Sequence, residues 1–164
     1  MAKVKKAKKE PTVYEAYTDG SALGNPGPGG YGSIVQVGGK EVRLSKGYFL
    51  TTNNRMEIMA VIATLEEFGP NARINIYTDS QYTIDGSTKW VRNWYRNDWL
   101  TRDGNMVKNK DLWVIMNELI RANKVKFIKV KAHSGIPENE AVDLLAKEAA
   151  ANPTTHDTEY SGIS

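Results

Sequence analysis

Two short apolar segments run into an aspartate in the same way, Tyr17-Thr18-Asp19-Gly20-Ser21 and Tyr77-Thr78-Asp79-Ser80-Gln81. Each reads as the β-branched and aromatic residues of a strand, followed by a turn or helix start. If the strands are neighbours, about 4.8 Å apart, the two carboxylates converge. Like charges that close resist joint ionisation unless a cation lies between them, so the chemistry suggested is a divalent-metal site. Two further acids stand in unusual company. Glu57 interrupts Met56-Glu57-Ile58-Met59-Ala60-Val61-Ile62 near the start of a helix that is apolar on several sides, and is expected to face something specific. Asp143 sits at the margin of a core stripe formed by Val142, Leu145, Ala146 and Ala149. Taken singly, each of these four acids also fits a solvated charge or a cap; the case is a joint one.

The elements that must position them can be read from periodicity. Val13 to Asp19 forms a first strand, and the dense turn signal Gly24-Asn25-Pro26-Gly27-Pro28-Gly29-Gly30 follows it. Tyr31 to Val37 and Glu41 to Phe49 form a hairpin closed at Gly38-Gly39. Helical spacing runs from about Asn53 to Phe68 and stops at Gly69-Pro70. A strand at Arg73 to Thr78 then returns after a helix, as a parallel crossover requires. Short helical stretches are expected at Ser80–Asp85 and Lys89–Asn97, and a longer helix at Asp111–Ala122. A strand at Lys124–Lys131 and a final helix at Glu138–Ala151, behind Pro137, complete the series. The fold class is α/β, with three antiparallel strands, then two parallel ones, flanked by helices.

Composition sets the outer bounds. A chain of 164 residues with 40% hydrophobic content fits one domain with a real core. The absence of Cys excludes disulfides, zinc-thiolate centres and Cys nucleophiles. No apolar run approaches a membrane span, so no membrane partner is expected, and a cytoplasmic protein is the default. The net charge of +3 is local: Lys3, Lys5, Lys6, Lys8 and Lys9 crowd the first ten residues, and the remainder carries 17 basic and 18 acidic residues. This Lys-rich tail reads either as a solubilising disordered end or as a non-specific attractor of phosphate. The expected organisation is a disordered tail at 1–11, one domain at 12–152 and a C-terminal tail at 153–164.

The blocks around the four acids resemble the ribonuclease H family, specifically its bacterial type 1 members. They are residues 17–21 with 24–32, Thr51-Thr52-Asn53-Asn54-Arg55-Met56-Glu57, Thr78-Asp79-Ser80-Gln81-Tyr82, Lys108-Asn109-Lys110-Asp111-Leu112-Trp113, and His133 with Pro137-Glu138-Asn139-Glu140 through Asp143. The resemblance spans about Tyr14 to Tyr160 in family order. It implies the ribonuclease H-like fold, a mixed five-stranded sheet with helices on both faces. It also implies hydrolysis of the RNA strand of RNA–DNA hybrids, leaving 3′-hydroxyl and 5′-phosphate ends. Asp19, Glu57, Asp79 and Asp143 would hold two Mg²⁺ ions, with Mn²⁺ able to substitute. Asp19 is expected to bridge the two ions because it ends the central strand, and Glu57 to contact a ribose 2′-hydroxyl. Alone, His133 reads as an incidental loop residue; the resemblance gives it proton transfer or product release.

The same resemblance assigns substrate contacts. Asn25, Asn54 and Gln81 would meet the RNA strand, where amides can both donate to and accept from 2′-hydroxyls; Asn25 reads equally well as a turn former. Thr52 and Asn109 would form a pocket for a DNA phosphate. A third pocket position, Arg in many relatives, is Leu50 here. Tyr82 and Trp90 would line a channel for DNA sugars, while Trp94, Trp99 and Trp113 are expected to pack a basic protrusion, at about 88–110, onto the body. That protrusion is interrupted by Tyr95, Asn97 and Gly104-Asn105, which predicts weaker or more salt-sensitive binding. Ala132 replaces a Gly common before the loop His and would stiffen that loop. Competing readings are an integrase or junction resolvase, a non-cleaving hybrid-binding module, and a domain detached from a reverse transcriptase. The full set of acids and the protrusion favour a free-standing, monomeric enzyme.

Overall fold

In the computed structural model, which describes residues 11–160, five strands form one sheet of order β3-β2-β1-β4-β5. β1 (Val13–Ala22), β2 (Gly27–Val37) and β3 (Lys40–Thr51) make an antiparallel meander. β4 (Arg73–Thr78) lies parallel to β1, and β5 (Lys124–Lys129) parallel to β4. The Lys-rich segment 1–10 and residues 161–164 lie outside the described residues.

Helix α1 (Asn53–Phe68) covers one face of the sheet. Its Ile58, Val61 and Leu65 join Ala16, Val35, Ile74 and Ile76 in the main core, together with Leu112, Trp113 and Met116 of α4 (Lys110–Ala122). Trp113 and Met116 are wholly buried; side chains of this size contribute about 1.5–3 kcal/mol each when removed from water. Between β4 and α4 run α2 (Gln81–Asp85), a wide turn at Gly86–Trp90 and α3 (Val91–Arg96). Helix α5 (Pro137–Ala151) packs on the opposite face, over β1, β2 and β3.

One expectation changes in the structure. The glycine-rich segment read as a turn is half strand, because β2 begins at Gly27. Its glycines serve contact: a Cβ on Gly30 would fall 2.5 Å from the main-chain nitrogen of Ala150 in α5, so a bare strand is what lets helix and sheet approach. The C-terminal tail from 153, whose order the sequence leaves open, packs on the body as far as Tyr160. Thr154 and Thr155 donate main-chain hydrogen bonds to Gly47 O, and Phe49 donates to Thr155 O. Asp157 in this strap is buried.

Candidate active site

Asp19 and Asp79 come together through strand register. Val13 pairs with Arg73 and Tyr17 with Tyr77, so the same register carried two residues further sets Asp19 opposite Asp79. The Tyr17 and Tyr77 rings stack at 4.5 Å directly before them on the same face. Asp19 does not end its strand as expected; β1 continues to Ala22 because β2 pairs with it as far as Ala22↔Gly29. Parallel pairing with β4 stops earlier, at Tyr17↔Tyr77, so Asp19 lies just past the last paired residue on that side.

Glu57 arrives from the start of the second turn of α1. That helix is capped by the Thr52 hydroxyl, which accepts from Arg55 N–H. It lies close on β1 because residue 20 is Gly: a Cβ there would sit 2.3 Å from Glu57 N. One oxygen each of Asp19, Glu57 and Asp79 fall within 4.8 Å of one another. Asp143, from the second turn of α5, lines the same cleft, its carboxylate paired to Lys147 at 2.9 Å.

This concentration of charge has consequences. Asp19 is 7% and Glu57 5% exposed. Burial pushes the Asp19 carboxyl up to about 7; a hydrogen bond with Glu57 pulls it down, while the charges of Asp79 and Asp143 push it up. Burial, then the charge of Asp19, raises Glu57 well above the ordinary carboxylate range. Glu57 Oε2 is buried with no hydrogen-bond partner, an expensive condition unless something else satisfies it. An oxygen-only donor set of this kind fits a hard cation such as Mg²⁺ or Ca²⁺.

The other candidate residues fall into two groups. His133, Asn54, Gln81 and Tyr82 line the acidic cleft. His133 adopts a left-handed backbone (φ 54°), a conformation that costs a non-glycine residue energy and clusters at functional sites. Outside the cleft, Asn25 Oδ1 accepts from Asn53 N–H, bracing the start of α1. Asn109 precedes α4, with its Oδ1 3.3 Å from Arg55 Nη1, and donates through Nδ2 to the Tyr82 hydroxyl. That hydroxyl also accepts from Trp113 Nε1. Trp90 is 39% exposed and stands edge-on to Tyr82; Trp94 and Trp99 pack against the core, as expected.

Arg55 and Asp157 were not foreseen. The Arg55 guanidinium is buried and forks to Asp157 (2.8 and 3.0 Å) and to Asp111 (2.9 and 2.7 Å). A signal for Arg55 existed, since an Arg inside a buried helix must find carboxylates. For Asp157, remote in sequence, there was none.

A sheet of order β3-β2-β1-β4-β5 with helices on both faces is the ribonuclease H-like architecture, and four carboxylates line the cleft beside its parallel pair. The sequence model of the RNase H family matches residues 11–151. Ribonuclease H of Salmonella arizonae is 49% identical over 146 residues, which cover 89% of this chain and 94% of that one; Ribonuclease H of Salmonella newport matches equally well. Among solved structures, LC9-RNase H1, a type 1 RNase H with the type 2 active-site motif, superposes with a TM-score of 0.78 at 31% identity, covering 90% of this chain and 76% of that one. LC11-RNase H1 in complex with an RNA/DNA hybrid shares the fold, with a TM-score of 0.63 at 22% identity and coverage of 84% and 96%. The chain belongs to the ribonuclease H family, with the bacterial type 1 members as its relatives.

Proposed function

We propose that this protein hydrolyses the RNA strand of RNA–DNA hybrids endonucleolytically, leaving 3′-hydroxyl and 5′-phosphate ends. The observation that carries this reading is the convergence of Asp19, Glu57 and Asp79 within 4.8 Å, with the Glu57 Oε2 unpartnered among them. Those three acids and Asp143 would hold two Mg²⁺ ions, with Mn²⁺ able to substitute. When bound, the ions supply the positive charge that lets water attack an anionic phosphodiester and that stabilises the departing 3′-oxygen.

The chain's own residues do the rest. Asp19 would be the ligand shared by the ions, and Glu57 would also orient a ribose 2′-hydroxyl beside the scissile bond. His133, on its loop at the cleft, moves the proton that the departing 3′-oxygen takes up, or helps release the 5′-phosphate. Asn25, Asn54 and Gln81 read the RNA strand; Thr52 and Asn109 hold a DNA phosphate, and Tyr82 and Trp90 pack the DNA sugars. Residues 12–152 act as one catalytic domain, with the segment from 153 packed against it. A monomer is the proposed state. Among the described residues no helix is long and apolar enough to cross a membrane, and the cytoplasm is the proposed location.

The test compares end-labelled RNA–DNA, RNA–RNA and DNA–DNA duplexes with Mg²⁺ or EDTA, for the wild type and Asp19→Asn. Metal-dependent cutting confined to the RNA of the hybrid, and lost in the variant, is expected. Cleavage of duplex DNA, or undiminished activity in EDTA, would overturn the assignment.

A further inference from the structure

The acidic cleft contains a cation of its own. Lys147, one turn beyond Asp143 on α5, places Nζ 2.9 Å from Asp143 Oδ2, and both side chains line the cleft. A second ammonium is nearby, but Lys129 Nζ donates to the main-chain carbonyl of Asp79 and leaves that carboxylate untouched. Among the described residues Lys147 is thus the one basic side chain in an ion pair with a cleft acid. Asp143 is also the acid that stays outside the tight group of Asp19, Glu57 and Asp79.

We infer that Lys147 is an internal counter-ion that makes the two cation positions unequal. It occupies the Asp143 carboxylate, so a divalent ion using Asp143 must first displace it, whereas one bound by Asp19, Glu57 and Asp79 need not. This rests on the reading that the cleft holds divalent ions. The geometry suits such a role. An Asp followed by Lys at i+4 is the favourable orientation on a helix, so the pair forms by default. Both partners are partly exposed, at 32% and 54%, so water screens the pair and it can be broken. The flexible four-carbon stem lets the ammonium swing away without moving α5. While it stays in the pair, a positive charge that close also repels a divalent ion directly.

Titration with Mn²⁺, followed by the electron paramagnetic resonance of the free ion, reads each binding step without substrate or turnover. In the wild type, two steps of unequal affinity are expected. Lys147→Met and Lys147→Gln should tighten the weaker step by about tenfold, leaving the stronger within about twofold. Lys147→Arg, which keeps the pair, should behave as wild type. Lys129→Met removes the same charge near the cleft but frees no carboxylate, and should move both steps by one small factor. An unchanged weaker step in both neutral Lys147 variants, or the same selective tightening from Lys129→Met, would refute the inference. A wild type that takes up no Mn²⁺ would instead overturn the proposed function, and this inference with it.

Discussion

Replacing Asp19 with Asn should stabilise the metal-free protein at pH 8 while abolishing cleavage. The Asp19 carboxyl is pushed up to about 7 in the folded protein, against about 3.9 in an unfolded chain. A carboxyl so raised binds its proton more tightly when folded. Its contribution to stability is therefore full below pH ~4 and is lost as the pH rises through the window up to about 7. At 1.36 kcal/mol per unit, three units set a ceiling of about 4 kcal/mol. Glu57 competes for the same proton, so we expect about half of that ceiling, ~2 kcal/mol, from removing one charge of the pair. Asn keeps the shape, and its side-chain oxygen can still accept from Gly20 N–H, as Asp19 Oδ1 does at 2.9 Å. For a chain of this length, each kcal/mol moves Tm by about 2–4 °C, giving a rise of roughly 4–8 °C at pH 8. Thermal melts in EDTA at pH 5 and pH 8 decide the matter, with little difference expected at pH 5. Adding Mg²⁺ should raise Tm of the wild type and leave the variant where it is. An equal gain at both pH values, or a variant less stable than wild type at pH 8, would refute the reasoning.

Three more outcomes follow from the structure. Asp157→Ala leaves the buried Arg55 fork half unpaired and should cost about 3–5 kcal/mol in urea unfolding, with the m-value unchanged. Leu50→Arg, at a position 46% exposed just before Thr51 and Thr52, should tighten hybrid binding at low salt. By anisotropy in EDTA, the slope of log K against log[salt] should steepen by about one. Asp98→Gly, at a left-handed position (φ 54°) on the protrusion, should gain about 0.5–1 kcal/mol once the greater freedom of unfolded glycine is subtracted, measured by thermal melting.

What was legible in the sequence was whatever local physics sets. Strand alternation, the Pro137 start of α5 and the stop after Phe68 each depend on a few consecutive residues, and those elements lie where periodicity puts them. The pairing of Asp19 with Asp79 was readable too, because two matching strand ends joined through a helix crossover imply a parallel register. The glycines before Tyr31 misled for a definable reason. Glycine marks both turns and places where another backbone comes close, and only the position of α5 decides between them.

Charge inside a fold is harder to foresee, since it is held from afar. Arg55 sits two residues before Glu57 in an apolar helix, so sequence alone demands acidic partners for it yet cannot choose them. Asp157, 102 residues further on, is one, brought there by the strap along Gly47 and Phe49. Through Arg55 the strap also reaches the start of α4, where Asp111 and Asn109 meet the same guanidinium, and on through Asn109 to the Tyr82 hydroxyl at the cleft. A segment whose order the sequence leaves open is thus bonded to the helix that carries Glu57 and, through Asn109, to Tyr82. The like charges of the cleft oppose one another, while the buried arginine beside it is hydrogen-bonded to two carboxylates, and such fully satisfied polar networks hold their neighbours in one arrangement.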